Sequence, residues 1–202
     1  EAAFAVARDW AVHVDVLHVR GDPRDAVPIL GEGVSGTLVE EIMDVSEKES
    51  RERAVRARAL YDETCKKFDI PVVERPDLGR ASVAWIEDTG REEETVSRRG
   101  RLCDLIVLPR PTPDSDVGST MTLNAALFET GRPVLVVPPG YAGGSIGAKI
   151  AISWNGSKEA ARAIAGATTF IERAKEVTVV TAVGETPAAP EVPEMLTYLG
   201  WH

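Results

Sequence analysis

The sequence predicts an α/β protein with a doubly wound parallel sheet, and three observations predict it. Segments of β-branched, alternating character take turns with segments of helical periodicity over the whole chain. The run Asp104-Leu-Ile-Val-Leu-Pro109 is continuously apolar, as a strand buried on both faces of a parallel sheet must be. Beyond a Gly-rich stretch, Pro139–Gly147, the strand-then-helix pattern starts afresh, which predicts a second unit.

Taken in order, Glu1–Trp10 reads as a helix and Val12–Arg20 as a strand, because it is β-branched and alternating, with Val12, Val14 and Val16 two apart. A polar loop, Gly21–Gly36, leads to a long helical region. There Leu38, Ile42 and Val45, then Ala57, Leu60, Tyr61, Thr64 and Phe68, recur at three- and four-residue spacing. The Glu47–Arg56 stretch between them is so charged that it must face water. Ile70–Glu74 reads as a short strand and Ala81–Glu87 as a further extended piece. Glu92–Cys103 is a charged helix, Asp104–Pro109 a strand, Thr120–Thr130 a helix ended by Gly131, and Pro133–Pro138 a strand. After the linker come Lys149–Trp154 as a strand, an Asn155-Gly156-Ser157 turn, and a helix on the face Ala160, Ile164, Ala167 and Ile171. Glu176–Val183 is a strand and Val192–Leu199 a last helix. The chain opens without Met inside one helical pattern and stops inside another, so it is expected to be part of a longer protein.

Composition narrows the function. With 32 acidic against 23 basic residues and a net charge of -9, the chain lacks the basic face that nucleic acid or an anionic membrane requires. No apolar run approaches the roughly 20 residues of a membrane helix. Cys65 and Cys103 lie far apart and outside any metal-ligand spacing, which fits reduced thiols and a cytoplasmic setting. His13 and His18 are five apart on a strand and point to opposite faces, so they cannot share a metal. Gly31-Glu-Gly-Val-Ser-Gly36 has the letters of a dinucleotide fingerprint without the preceding strand that the motif needs. No Ser/His/Asp, Cys/His or HExxH arrangement occurs, and the expectation is a protein without catalytic machinery.

Two segments carry a resemblance. Ile150-Ala-Ile-Ser-Trp-Asn-Gly-Ser-Lys-Glu-Ala-Ala-Arg-Ala163 resembles the first strand and helix of universal stress protein domains. Asp104–Pro109 together with Gly131-Arg-Pro-Val-Leu-Val-Val-Pro138 resembles their fourth and fifth strands. The resemblance implies a tandem protein, with a first domain at 1–140 that lacks its opening strand and the start of a second at 148–202. It implies a five-stranded parallel sheet of order 3-2-1-4-5, adenine nucleotide alpha hydrolase-like, and a homodimer or internal pseudo-dimer through the edge strand Pro133–Val137.

The same resemblance frames the ligand question. Many family members hold ATP on a loop of pattern Gly-x-x-Gly-x9-Gly-Ser/Thr after the fourth strand, where bare backbone N–H groups and a helix start attract phosphate. Here that loop is Pro109-Arg-Pro-Thr-Pro-Asp-Ser-Asp-Val-Gly-Ser119, with Pro109 and Thr112 at the first two glycine positions. Three prolines remove donors, and Asp114 and Asp116 repel phosphate; Gly118 and Ser119 survive at a shifted spacing. In the second unit Asn155 stands where ATP-binding relatives carry Asp, flanked by Trp154, Gly156 and Ser157. The implied function is a stress-response protein that binds a protein partner or a small ligand. The competing expectation is slow ATP hydrolysis by the second unit, with ATP as cofactor.

Overall fold

A computed structural model describes residues 1–26, 36–76, 79–182 and 190–201. Its contacts divide the chain into Glu1–Gly144 and Ser145–His202, with the division inside the Gly-rich linker.

In the first unit, helix α1 (Ala2–Trp10) turns into strand β1 (His13–Arg20) through Ala11 in the left-handed conformation, φ 55°. A single 3₁₀ turn, Pro23–Ala26, follows. Helix α2 (Gly36–Phe68) is one continuous rod of 33 residues, about 50 Å at 1.5 Å per residue. Only its second half reaches the core, through Tyr61, Thr64 and Cys65; the first half buries Ser50 alone among its described side chains. The charged stretch is laced instead by pairs one turn apart, Arg51–Glu47 at 2.9 Å and Arg58–Asp62 at 3.2 Å.

Strand β2 (Ser82–Thr89) runs parallel to β1 over all eight residues, His13 opposite Ser82 and Arg20 opposite Thr89. The expected strand at Ile70–Glu74 is reduced to one bridge, Val72 against Val83. Pro71 has no N–H to continue a ladder, so it contributes only its carbonyl, to Val83 N at 3.0 Å. The expected extended piece at Ala81–Glu87 is thus the full partner of β1. Both faces of this pair are covered. On one, Val14, Val16, Val83 and Trp85 pack with Phe4, Ala7, Tyr61 and Cys65 of α1 and α2. On the other, Leu17 packs with Val96, Ile106 and Ala126.

Those last three belong to helix α3 (Glu92–Gly100), strand β3 (Ile106–Pro109) and helix α4 (Val117–Glu129). Strand β4 (Val134–Val137) lies parallel to β3, Ile106 opposite Val134. Helix α4 starts three residues before the expected Thr120, because Asp116 caps it and Gly118 does not interrupt it. Gly131, at φ 69°, takes the left-handed position after its end.

The second unit repeats the motif in small. Strand β5 (Lys149–Ser153) pairs in parallel with β6 (Glu176–Val180), and helix α5 (Lys158–Arg173) makes the crossover. Helix α6 (Val192–Leu199) closes a core of Ile152, Trp154, Ile164 and Met195. Strand pairing among the described residues is therefore three two-stranded parallel sheets in a mixed α/β chain. No helix of the described residues is long and apolar enough to cross a membrane.

Candidate functional site

The carboxyl ends of parallel strands are where α/β folds place ligands, and the sequence-predicted residues fall at two such ends. In the first unit, β3 runs out at Pro109, and Arg110 N donates to Val137 O at 2.8 Å. The loop then closes on itself. Ser115 N donates to Thr112 O, and Thr112 N to Ser115 Oγ, both at 2.9 Å. At the start of α4 the Asp116 carboxylate accepts from Ser119 N and from Ser119 Oγ, both at 2.8 Å. These bonds, the hydroxyl first and the backbone second, hold the Asp116 carboxyl below its ordinary pKa. Of Gly118 and Ser119, predicted as residual phosphate contacts, Ser119 is thus turned toward the chain's own carboxylate.

In the second unit the turn after β5 is also internally satisfied. Asn155 Oδ1 accepts from Ser157 N at 3.0 Å, and Ser157 Oγ accepts from Ala160 N at 3.1 Å as the N-cap of α5. Gly156 sits at φ 73°, a conformation that favours glycine. Trp154 is buried, and its indole N–H donates to Pro190 O at 3.0 Å. It lines a cleft of about 250 Å³ with Ala161, Ile164, Met195 and Tyr198. The one carboxylate there, Glu194, accepts from Glu191 N at 2.9 Å and so completes the cap of α6. Of the four predicted residues, the structure brings only Trp154 to this cleft. Asn155, Gly156 and Ser157 shape the turn beside it.

Sequence reasoning missed a group of shielded polar atoms in the first unit. His18 Nε2, Arg20 Nε and Thr122 Oγ1 have almost no exposed surface and no hydrogen-bond partner among the described residues. His18 stacks on Trp85 at 5.6 Å between ring centres. Glu92, at the start of α3, lies close enough to Thr122 and His18 for both to favour its charged form. Crowding by protein outweighs them and raises its pKa, although the residue as a whole is exposed. No Thr122–Glu92 bond of proper geometry forms, so proximity is all that is established. Only the alternation of β1, which puts His18 and Arg20 on one face, hinted at this group. His13, on the other face, shares a 2.8 Å hydrogen bond with Ser82 Oγ.

Cys65 is buried and Cys103 half-buried, both as free thiols, and burial pushes both thiol pKa values up. Among the described residues no group of three or more His, Cys, Asp or Glu could hold a metal ion. Residues 31–35 of the Gly31–Gly36 stretch lie outside the described residues, as do Val183 and His202; Gly36 opens α2. No protein-family model, curated protein or solved structure matched this chain.

Proposed function

We infer that this chain is a non-enzymatic binding protein of the universal stress protein type, whose first unit does not take nucleotide. One observation carries the reading: the Asp116 carboxylate occupies the position at the α4 N-terminus that a phosphate would need. A phosphate arriving there would meet a negative charge already bonded to the donors it seeks, and the prolines of the preceding loop offer no replacement N–H groups. In this reading β2–β1 and β3–β4 are the outer pairs of a five-stranded sheet of order 3-2-1-4-5, with a further strand between β1 and β3.

What the protein binds is then a protein partner or a small ligand. The Trp154–Met195–Tyr198 cleft suits a flat apolar group, because the Trp154 indole N–H is spent on Pro190 and the Glu194 carboxylate on capping. The reading is tested by thermal denaturation with and without Mg-ATP, since a ligand that binds the folded state must raise its melting temperature. An unchanged melting temperature is expected. A rise of several degrees would contradict the reading; its loss in Asn155→Ala would assign nucleotide to the second unit, and its loss in Ser119→Ala to the first.

A further inference from the structure

The cleft of the second unit is one-sided in charge as well as apolar. Trp154 and Tyr198 line it with Ala161, Ile164 and Met195, and the one charged residue among its walls is Glu194. No Lys, Arg or His of the described residues lines it. Arg162, next to Ala161 in sequence, is exposed and does not line the cleft, and Lys158 lies 3.7 Å from Glu159.

Capping does not neutralise Glu194. Its Oε2 accepts from Glu191 N at 2.9 Å, and the Glu191 carboxylate accepts from the Glu194 N–H in return. Those donors are neutral amides, and the ion pairs Lys149–Glu176 and Lys158–Glu159 use other carboxylates. Two negative charges therefore stand against about half a positive charge from the start of α6, and the rim of the cleft is negative. Aromatic rings attract a cation that comes within about 6 Å of the ring centre, more strongly once its water is gone. A compact, strongly hydrated ammonium would lose that water at a cost among apolar walls. A nitrogen sheathed in methyl groups has little to lose. The volume, about 250 Å³, lies below the roughly 300–1,000 Å³ of ordinary ligand pockets, which limits the occupant to a single ring or a compact head group.

We propose that the cleft between Trp154, Tyr198 and Glu194 binds a small organic cation of the quaternary ammonium class. The rings of Trp154 and Tyr198 and the Glu194 carboxylate receive its charge, and Ile164 and Met195 receive its methyl groups. The proposal rests on the small-ligand reading above and names the class of that ligand.

Methyl resonances read the cleft directly, because the chain has three methionines and Met195 is the one that lines it. Phenyltrimethylammonium is expected to shift the Met195 methyl signal and to saturate. Its neutral isostere, tert-butylbenzene, is expected to bind about three- to tenfold more weakly. Glu194→Gln keeps an acceptor for the Glu191 N–H, so the cap of α6 and the melting temperature are kept. It should weaken the cation about two- to fivefold and leave tert-butylbenzene unchanged. Tyr198→Leu should weaken the cation by a similar factor, and Tyr198→Phe should not. Equal affinity for the cation and its isostere overturns the proposal. So does a cation that leaves Met195 unmoved in the folded chain, or one indifferent to Glu194→Gln. Mg-ATP added in the same experiment keeps the two readings apart. Its binding would contradict the proposed function, whereas silence from phenyltrimethylammonium contradicts the cation site alone.

Discussion

Gly100 is the last residue of α3 and the tightest point in the first unit. A Cβ built there would lie 2.8 Å from Ile106 Cδ1 and 2.8 Å from Thr130 Cγ2, closer than carbon atoms approach in folded proteins. Ile106 can yield, since Cδ1 is the free end of its side chain. Thr130 cannot, because its Oγ1 donates to Ala126 O at 2.6 Å and turning the side chain would break that buried bond. Gly100→Ala therefore sets a gain of at most about 1 kcal/mol in helix propensity against overpacking of about 1–3 kcal/mol. With the full gain counted, a net loss centred on about 1 kcal/mol, and no more than about 2 kcal/mol, follows from those two ranges. It would lower the melting temperature by roughly 2–4 °C per kcal/mol in a domain of this size. Chemical denaturation followed by circular dichroism measures it. The decisive comparison is the double variant Gly100→Ala/Thr130→Ser, which deletes Cγ2 and keeps the hydroxyl, and which should recover most of the loss. A Gly100→Ala chain as stable as the parent, or one that the serine fails to rescue, would refute the packing argument.

Three further outcomes are expected. Burial, with Cys65 adding to it, pushes the Tyr61 hydroxyl up to about 12 from an ordinary 10.0. The neutral form is favoured in the folded state, so this stabilisation is complete below pH 10 and is lost as pH rises from there through about 12. Ultraviolet titration should show the latest-ionising tyrosine disappear in Tyr61→Phe. Because the Tyr61 hydroxyl makes no hydrogen bond of proper geometry among the described residues, the nearby Cys65 thiol included, Tyr61→Phe should leave stability unchanged or raise it by up to about 1 kcal/mol in urea unfolding. Tyr61→Ala should instead cost about 3–5 kcal/mol. Ser157→Ala removes the N-cap of α5 and should destabilise the second unit by about 1 kcal/mol in the same assay.

Much of the fold was legible because hydrophobic period and caps agree. Helix α6 falls at Val192–Leu199 as expected, with the reciprocal Glu191–Glu194 cap behind it. The strands that lie under helices, β3 to β6, were plain from their β-branched runs. Two features were not legible. Ile70–Glu74 has the composition of a strand, yet the missing N–H of Pro71 limits it to a bridge. Ser82–Thr89 mixes Trp85, Glu87 and Asp88 into its alternation and so looks weak, until β1 supplies an eight-residue ladder.

The site was legible in part. That prolines and aspartates spoil the loop could be read from residue type alone. That Asp116 serves as the cap depends on a three-residue spacing hidden by Gly118. The shielded atoms of His18, Arg20 and Thr122 come from three-dimensional packing, which no spacing encodes.

Whether Asp116, and not a phosphate, belongs at the start of α4 is decided by calorimetric titration of Mg-ATP into the chain and into Asp116→Gly. No binding heat is expected with the parent chain, and measurable heat once the carboxylate is gone. Binding by the parent that vanishes in Ser119→Ala, with Asn155→Ala still binding, would show that phosphate and not Asp116 holds that position.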